Sequence, residues 1–217
     1  MNRESHNRRW PWLLLLLVCN LHLFGIGPAC VARPDAILNG RAWTWLTHAF
    51  THVSWYHLAL DASAFLCLLP LLAGSRTAQL IQIAVCGAGA LLLASWTPLF
   101  GQVGYCGLSG LDHGLMALIA MQWIAQGRRR GRTDGVAWAL LAAVTTKAII
   151  EACTGKVLLH GLHFGDISIP IVSSHLGGVL GAMLYQLTRT LRLTLPVCAR
   201  QEEEVRANGD SEWEQAT

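Results

Sequence analysis

Charged side chains are the scarcest feature of this chain. Only 13% of its 217 residues are Asp, Glu, Lys or Arg, whereas soluble domains carry about a quarter. By contrast, 53% are hydrophobic and the mean hydropathy is +0.41. This composition excludes a disordered chain, a collagen-like fibre and an ordinary soluble domain. It indicates a polytopic membrane protein, with room for about six spans at ~20 residues each and for no large soluble domain.

Three further absences exclude other classes. The net charge of +3 is too small to indicate a nucleic-acid partner. The seven cysteines show no C-x-x-C spacing, and no H-E-x-x-H sequence is present, so neither a zinc site nor a zinc-peptidase motif is indicated. We therefore expect no metal and no cofactor.

Six apolar runs predict an all-α membrane domain of six transmembrane helices over residues 11–188. It lies between a cytoplasmic N-terminus, residues 1–10, and a cytoplasmic tail, residues 189–217, that is acidic and disordered at its end. The predicted spans are Pro11–Gly27, His52–Ala73, Ala78–Pro98, Val103–Ala125, Gly135–Cys153 and Ile167–Leu187. Several are rich in Gly and Ala, which suits close helix packing in lipid.

Positive charge predicts the orientation. With the N-terminus inside, twelve basic residues lie on inner segments and three on outer ones. The inner ones are Arg3, Arg8, Arg9, Arg76, Arg128, Arg129, Arg130, Arg132, Arg189, Arg192, Arg200 and Arg206; the outer ones are Arg33, Arg41 and Lys156. Both termini are therefore expected in the cytoplasm. The first span also resembles a signal peptide that ends before Cys30, but Gly27 does not fit a lipoprotein signal, and a retained helix is favoured.

Ionisable and hydroxyl side chains inside the spans are the strongest functional signal, because such groups are costly in lipid. They are His52, His57, Asp61, Ser109, Asp112, His113, Lys147, Glu151, Ser173, Ser174 and His175. Counted at 1.5 Å per residue, Asp61, Ser109, Lys147 and His175 fall at one level in the outer half of the membrane. Four helices with polar groups at one level predict a water-filled pocket that opens to the outside.

Simpler interpretations exist for individual members of this layer. A single His or Ser in a span most often makes a helix–helix hydrogen bond. Lys147 and Glu151 are four residues apart and can neutralise each other on one helix face. Asp112 stands near a helix start, where an acidic side chain favours the helix dipole.

The sequence Gly107-Leu108-Ser109-Gly110 has the form G-x-S-G, in which glycines allow a tight turn and expose a serine at a helix start. Free backbone N–H groups there can stabilise an oxyanion. A serine nucleophile needs a base, and His175 is the best-placed candidate. Gly177, Gly178 and Gly181 would let its helix approach the fourth helix closely.

These residues resemble the rhomboid family of intramembrane serine proteases. The resemblance covers about Trp43 to Leu187 and rests on three blocks: Leu46–Asp61, which is similar to T-H-x-x-x-H-x-x-x-x-H-x-x-x-N, then Gly107–Gly110, then Ser174–Gly178, which is similar to A-H-x-x-G. It implies a six-helix fold and a Ser–His dyad that needs no acid.

Carried over residue by residue, the resemblance makes Ser109 the nucleophile and His175 the general base. His57, the position of Asp61 and the backbone N–H of Ser109 would line the oxyanion hole, with Leu108 and His52 beside it. His113 stands where many rhomboids have Tyr, and would stack on His175 or hydrogen-bond to it.

This chain departs from the family pattern at three positions. Asp61 stands in place of Asn, and an ionised carboxylate would repel an oxyanion unless it were protonated or paired with Lys147 or His57. Thr44 replaces an Arg after Trp43, and Ala182 replaces a Gly.

The rhombosortase subgroup is the most similar, because the chain is short and carries His113 and the Lys147/Glu151 pair. That resemblance implies a bacterial inner-membrane enzyme whose site faces the periplasm or exterior. Its substrates would be membrane-anchored proteins that end in Gly-Gly, a hydrophobic helix and basic residues, and substrate helices fray at glycine because it is a poor helix former.

Two other functions remain open at this point. A metalloprotease or metal transporter could use His48, His52, His57 and Asp61, and a non-catalytic rhomboid-like protein could bind transmembrane clients. Separately, Cys106 and Cys153 fall near the outer ends of two spans, where they would either form a disulfide or remain free.

Overall fold

The computed structural model describes residues 10–158, 164–166 and 169–191. The described residues form helices and turns without any β-strand, and residues Ala32 and Tyr105 make an isolated antiparallel bridge. The all-helical prediction is therefore confirmed for this part of the chain. The first nine residues and residues 192–217 of the predicted tail lie outside the described residues.

Nine α-helices are described, and 3₁₀ turns over Leu21–Phe24, His48–Phe50 and Leu69–Leu71 extend three of the connections. The helices are α1 (Trp10–Cys19), α2 (Pro34–Leu38), α3 (Thr44–Thr47), α4 (Trp55–Leu68), α5 (Arg76–Ser95), α6 (Pro98–Val103), α7 (Ser109–Arg129), α8 (Gly135–Thr154) and α9 (173–191). Helix α7 packs against α4, α5 and α8, and twelve of its residues are buried. It is the central helix of the described bundle.

The chain divides into two compact units between Met183 and Leu184. The first unit contains α1 to α8, the first part of α9 and every residue of the site described below. In the second unit, the described residues are the helical ones from Leu184 to 191.

Side-chain caps determine where three of the long helices begin. Ser54 accepts the N–H of His57 at 3.1 Å at the start of α4, Ser75 caps α5, and Asp134 caps α8. The second span was predicted to begin at His52, but the Ser54 cap starts the helix at Trp55. His52 consequently lies in the connection before the helix.

The fourth and sixth predicted spans also begin later than expected. The run from Val103 is broken, because α6 ends there and Gly104 and Gly107 adopt left-handed φ angles of 74° and 104° before α7 starts at Ser109. The sixth span was predicted from Ile167, which lies outside the described residues, and α9 begins at residue 173. His175 is thus in the first turn of its helix and not eight residues inside it.

Two described helices, α5 and α8, are long and apolar enough to cross a membrane. The α3 segment and α4 with their 3₁₀ turns pass the same test as a pair, bent by 88°. Large apolar side chains are exposed on these helices and on α1, among them Leu14 (62%), Leu92 (62%) and Val136 (72%). Such side chains suit a lipid environment, where tails are as apolar as leucine.

Glycines bring α9 into backbone contact with two neighbouring helices. A Cβ atom on Gly178 would collide with the carbonyl oxygen of Gly110 in α7, and one on Gly177 would collide with that of Gly89 in α5. Gly181 also meets α5, at Val85. The expected close approach of α9 to the fourth predicted span is present at Gly178, whereas Gly177 and Gly181 contact α5.

Asn20 joins the end of α1 to the segment before α4. Its side-chain amide donates to the carbonyl oxygens of Leu16 at 2.7 Å and Phe50 at 2.6 Å, and its oxygen accepts the N–H of His52 at 2.8 Å. Asn20 is 1% exposed, so all these bonds are shielded from competing water. They fix the position of His52 relative to α1.

Candidate active site

A tight turn places Ser109 as the first residue of α7. The N–H of Gly107 donates to the carbonyl oxygen of His48 at 3.1 Å, which holds the turn against the 3₁₀ segment. A Cβ atom on Gly107 would lie 2.9 Å from the His57 ring. Glycine is needed here both for its φ of 104° and for this close approach.

Ser109 and His175 are within hydrogen-bond distance. The hydroxyl oxygen of Ser109 lies 3.2 Å from His175 Nε2. The serine is partly exposed while the histidine is 6% exposed. A hydroxyl beside an imidazole is the arrangement of an activated nucleophile and its base.

A carboxylate lies on the other side of the His175 ring. His175 Nδ1 is 2.6 Å from Glu151 Oε2, and Glu151 is fully buried. The Lys147 ammonium contacts both Glu151 oxygens, at 2.8 and 2.9 Å. The predicted Lys147–Glu151 pair is present, but it is also joined to the histidine.

His113 both stacks on His175 and makes polar contacts of its own. The two ring centroids are 4.0 Å apart with an interplanar angle of 8°. His113 Nδ1 lies 2.7 Å from the carbonyl oxygen of Ser109, and its Nε2 lies 3.0 Å from Lys147 Nζ. Of the two expected interactions with His175, the structure has the stacking.

Asp61 meets Ser109 from the opposite side. Its Oδ2 accepts the N–H groups of Leu108 at 2.9 Å and Ser109 at 3.1 Å, and it lies 3.2 Å from His57 Nε2 and 3.5 Å from His52 Nε2. Of the two partners considered from sequence, Asp61 pairs with His57 and not with Lys147. The Ser109 N–H that was expected to face an oxyanion is engaged by this carboxylate.

Asp112 is buried at 3% exposure, and neither carboxylate oxygen has a hydrogen-bond partner among the described residues. It lies in the first turn of α7, as its proposed helix-dipole role requires.

A cavity of about 290 Å³ connects these groups. Ser109, His175, Asp61, Asp112 and Lys147 line it together with apolar side chains such as Met116. The polar groups predicted at one membrane depth therefore surround a single cavity. A volume of this size is at the lower end for ligand pockets.

Ligand atoms of His113, Glu151 and His175 lie within 4.8 Å of one another, close enough to share a metal ion. The Lys147 ammonium already contacts Glu151 and His113 at 2.8 and 3.0 Å, and it supplies the positive charge that a metal ion would bring to these atoms. The metal-ligand set suggested from the sequence was a different one, which contained His48 and His52. His48 Nδ1 is instead 2.8 Å from the carbonyl oxygen of Trp45.

A family model for the rhomboid domain matches residues 39–192. The chain belongs to the rhomboid family. Searches of curated proteins and of solved structures each found no match.

As a rhomboid, the chain is an integral membrane protein of a family of intramembrane serine proteases, hydrolases that act on membrane proteins in the bilayer. The matched range includes Ser109, His175, Asp61 and Glu151. The sequence resemblance to the family is thereby confirmed.

Two features of this rhomboid's site were missed from the sequence. Glu151 was considered only as the partner of Lys147, although its second oxygen faces His175. Asp61 was expected beside the Ser109 N–H and His57, but the sequence did not show that its carboxylate accepts the N–H groups of Leu108 and Ser109. Both depend on how helices rotate about their axes, which the spacing of residues within one helix does not give.

The thiols of Cys106 and Cys153 are both free. Cys153 is exposed and Cys106 is partly buried. Of the two alternatives for this pair, the structure has the unbonded one.

Proposed function

We propose that this rhomboid is a serine endopeptidase in which Ser109 is the nucleophile and His175 the general base, and that it cleaves membrane-anchored protein substrates. The observation that carries the proposal is the 3.2 Å distance between Ser109 Oγ and His175 Nε2 at the edge of the cavity. The two residues come from α7 and α9, and the contact of Gly178 with Gly110 holds these helices together.

The chemistry is acyl transfer. The Ser109 oxygen adds to a peptide carbonyl while His175 Nε2 takes the hydroxyl proton. The tetrahedral intermediate collapses as the C–N bond breaks, and His175 returns the proton to the leaving amine. Water then adds to the acyl-enzyme and releases the carboxylate product and the Ser109 hydroxyl.

The oxyanion of this intermediate needs donors, and the proposed ones are the Ser109 N–H and His57 Nε2. Both now face Asp61 Oδ2, at 3.1 and 3.2 Å. A carboxylate and an oxyanion cannot share these donors without strong repulsion. We therefore infer that Asp61 gives up these bonds, by rotation or by taking a proton, when substrate is attacked.

We also propose the six-span topology, with both termini in the cytoplasm and the cavity facing the periplasm or exterior of a bacterial inner membrane. Support comes from the distribution of arginines along the chain and from the two or three apolar helices that are long enough to span. Arg128 and Arg129 lie in the last turn of α7, at the opposite end from Ser109.

For the substrate class, we propose rhombosortase-type processing of proteins that end in Gly-Gly, a hydrophobic helix and a basic tail. The support is the sequence resemblance to that subgroup at His113, Lys147 and Glu151. These three side chains contact one another and the proposed dyad. Other transmembrane substrates, as for a generic rhomboid, are the alternative.

The test uses the full chain in proteoliposomes with a reporter protein fused to a Gly-Gly, helix and basic C-terminal segment. We expect wild type to release the reporter and Ser109→Ala to be inactive at equal expression and membrane insertion. A fluorophosphonate probe should label wild type and not the variant. Proteolysis retained by Ser109→Ala would refute the nucleophile assignment. A wild type that neither cleaves the reporter nor reacts with the probe would refute the protease and favour the non-catalytic alternative, a protein that binds transmembrane clients.

A matched set of reporters tests the substrate class. Replacing Gly-Gly by Ala-Ala keeps the residues small but restores helix propensity, by about 1 kcal/mol per residue. We expect the Ala-Ala reporter to be cleaved at least tenfold more slowly. Equal rates would refute the rhombosortase assignment and leave the generic protease.

A further inference from the structure

We propose that Glu151 is a positioning residue for His175, and that Lys147 and His113 complete a closed hydrogen-bonded ring which returns to Ser109. This inference rests on the proposed protease function and deepens it, because the family resemblance implies a dyad without an acid. The ring runs through five residues, namely Ser109, His175, Glu151, Lys147 and His113.

The tautomer of His175 follows from its neighbours. A carboxylate only accepts hydrogen bonds, so Glu151 Oε2 at 2.6 Å requires the proton of His175 on Nδ1. Nε2 then carries a lone pair and can accept the Ser109 hydroxyl proton at 3.2 Å. Glu151 thereby keeps the histidine in the tautomer that a general base needs.

The carboxylate of Glu151 is fully satisfied although it is buried. Oε1 accepts the N–H of Leu158 at 2.8 Å, and both oxygens accept from Lys147. An unpaired charge at this position would be strongly destabilising, whereas a paired and hydrogen-bonded one is tolerated. Lys147 thus allows a carboxylate to remain beside His175.

The third donor of the Lys147 ammonium closes the ring. Two of its N–H groups are directed at Glu151, and Nζ is 3.0 Å from His113 Nε2, which must accept. His113 is then neutral with its proton on Nδ1, which donates to the Ser109 carbonyl oxygen at 2.7 Å. The backbone of the proposed nucleophile is fixed by the same network that fixes the base.

A simple i, i+4 ion pair does not account for this arrangement. Such a pair needs one carboxylate oxygen directed at the ammonium, and surface pairs contribute little to stability. Here Glu151 is at 0% exposure, and Oε2 makes its shortest contact with His175. When His175 takes the serine proton, the resulting imidazolium lies beside this anion, and the stacked His113 remains neutral. Charge-assisted bonds of this kind are about twice as strong as neutral ones.

The test compares Glu151→Gln and Glu151→Asp with wild type in proteoliposomes, using whichever transmembrane reporter wild type cleaves. Gln can donate to Nδ1 and stabilise the wrong tautomer, so we expect kcat to fall by ~10²–10⁴-fold while KM changes less than about threefold. Asp keeps the carboxylate but is shorter, so it should retain more activity than Gln. The fluorophosphonate labelling rate of Ser109 should follow the same order.

Asp134→Asn is the matched control, an acid-to-amide change at the other end of the same helix, where Asn caps equally well. It should keep wild-type kcat and thermal stability. If Glu151→Gln keeps full kcat, or if Asp is no better than Gln, the positioning role is wrong while the protease assignment stands. Loss of cleavage by wild type itself would instead overturn the proposed function.

Discussion

His113 lies flat against His175, with ring centroids 4.0 Å apart and planes inclined by only 8°. Stacking at this distance places one imidazole over the other, so the charge of one affects the other directly. The bond from Lys147 keeps His113 an acceptor at Nε2 and therefore neutral. A neutral ring suits the proposed role of His175 as a base that becomes positive during the reaction.

The first prediction concerns this platform. His113→Phe keeps a flat ring beneath His175 but loses the bonds to Lys147 and to the Ser109 carbonyl oxygen. Each such bond contributes about 1 kcal/mol, so the loss of both should lower kcat/KM by about thirtyfold. His113→Ala removes the stacking as well, which contributes about another 1 kcal/mol, so its kcat/KM should be lower still. Initial rates of reporter cleavage measure both, and an Ala variant as active as Phe would contradict the stacking role.

The second prediction concerns Asp61. Its carboxylate engages the Ser109 N–H at 3.1 Å and His57 at 3.2 Å, so in the proposed mechanism it competes with the oxyanion for these donors. Removal of one oxyanion-hole donor lowers kcat by about 10²–10³-fold, and a donor that is bonded to a carboxylate stabilises the oxyanion less. We expect Asp61→Asn, which removes the charge at equal size, to raise kcat about tenfold or more.

The same variant should lose thermal stability, because the buried His52 and the partly buried His57 no longer face a carboxylate. Cleavage rates and melting curves of the reconstituted protein measure the two effects. A fall in kcat with Asp61→Asn would show that the carboxylate serves the reaction instead of competing with it.

The third prediction concerns the distance between α7 and α9. A Cβ atom on Gly178 would collide with the carbonyl oxygen of Gly110, so Gly178→Ala must move the helices apart. Overpacking of this kind costs about 1–3 kcal/mol, and the shift would separate Ser109 from His175. We expect a lower melting temperature and a loss of activity of at least tenfold.

Gly101→Ala is the control for that variant, since a Cβ atom there meets no atom within 4 Å and the residue lies in a helix where alanine is favoured. It should be as stable and as active as wild type. A Gly178→Ala variant that behaves like Gly101→Ala would contradict the close packing of the two helices.

The fourth prediction concerns Cys106 and Cys153, which are both free. Alkylation of unreduced, denatured protein should modify both thiols, and mass spectrometry should find no peptide that joins them. Without denaturant, Cys153 should react faster because it is exposed while Cys106 is partly buried. A linked peptide would show that the pair is oxidised in the membrane.

The sequence predicted the helical class and the family, because both follow from long apolar runs and from the Ser109 and His175 motifs. Helix starts were less accurate, because local caps decide them. Ser54 begins α4 three residues after His52, and the left-handed glycines Gly104 and Gly107 delay α7 until Ser109. Ser109 is consequently the first residue of α7, and His175 lies in the first turn of α9.

The contacts of the acidic residues were the part that sequence could not give. Glu151 is four residues from Lys147, so the i, i+4 pair was visible, but its contact with His175 depends on the rotation of α8 against α9. Asp61 likewise reaches the backbone of Leu108 across forty-seven positions of chain. Long-range hydrogen bonds of this kind leave no periodic signal in a single sequence.

Asn20 has a consequence for the maturation of the protein. Its side chain joins the end of α1 to the carbonyl oxygen of Phe50 and the N–H of His52. A leader peptidase that cut ahead of Cys30 would remove this amide and leave two buried main-chain groups without partners, next to a histidine that faces Asp61. We therefore expect the amino-terminal hydrophobic segment to be retained in the mature protein, and a truncated version that lacks it to cleave the reporter more slowly even if it still inserts.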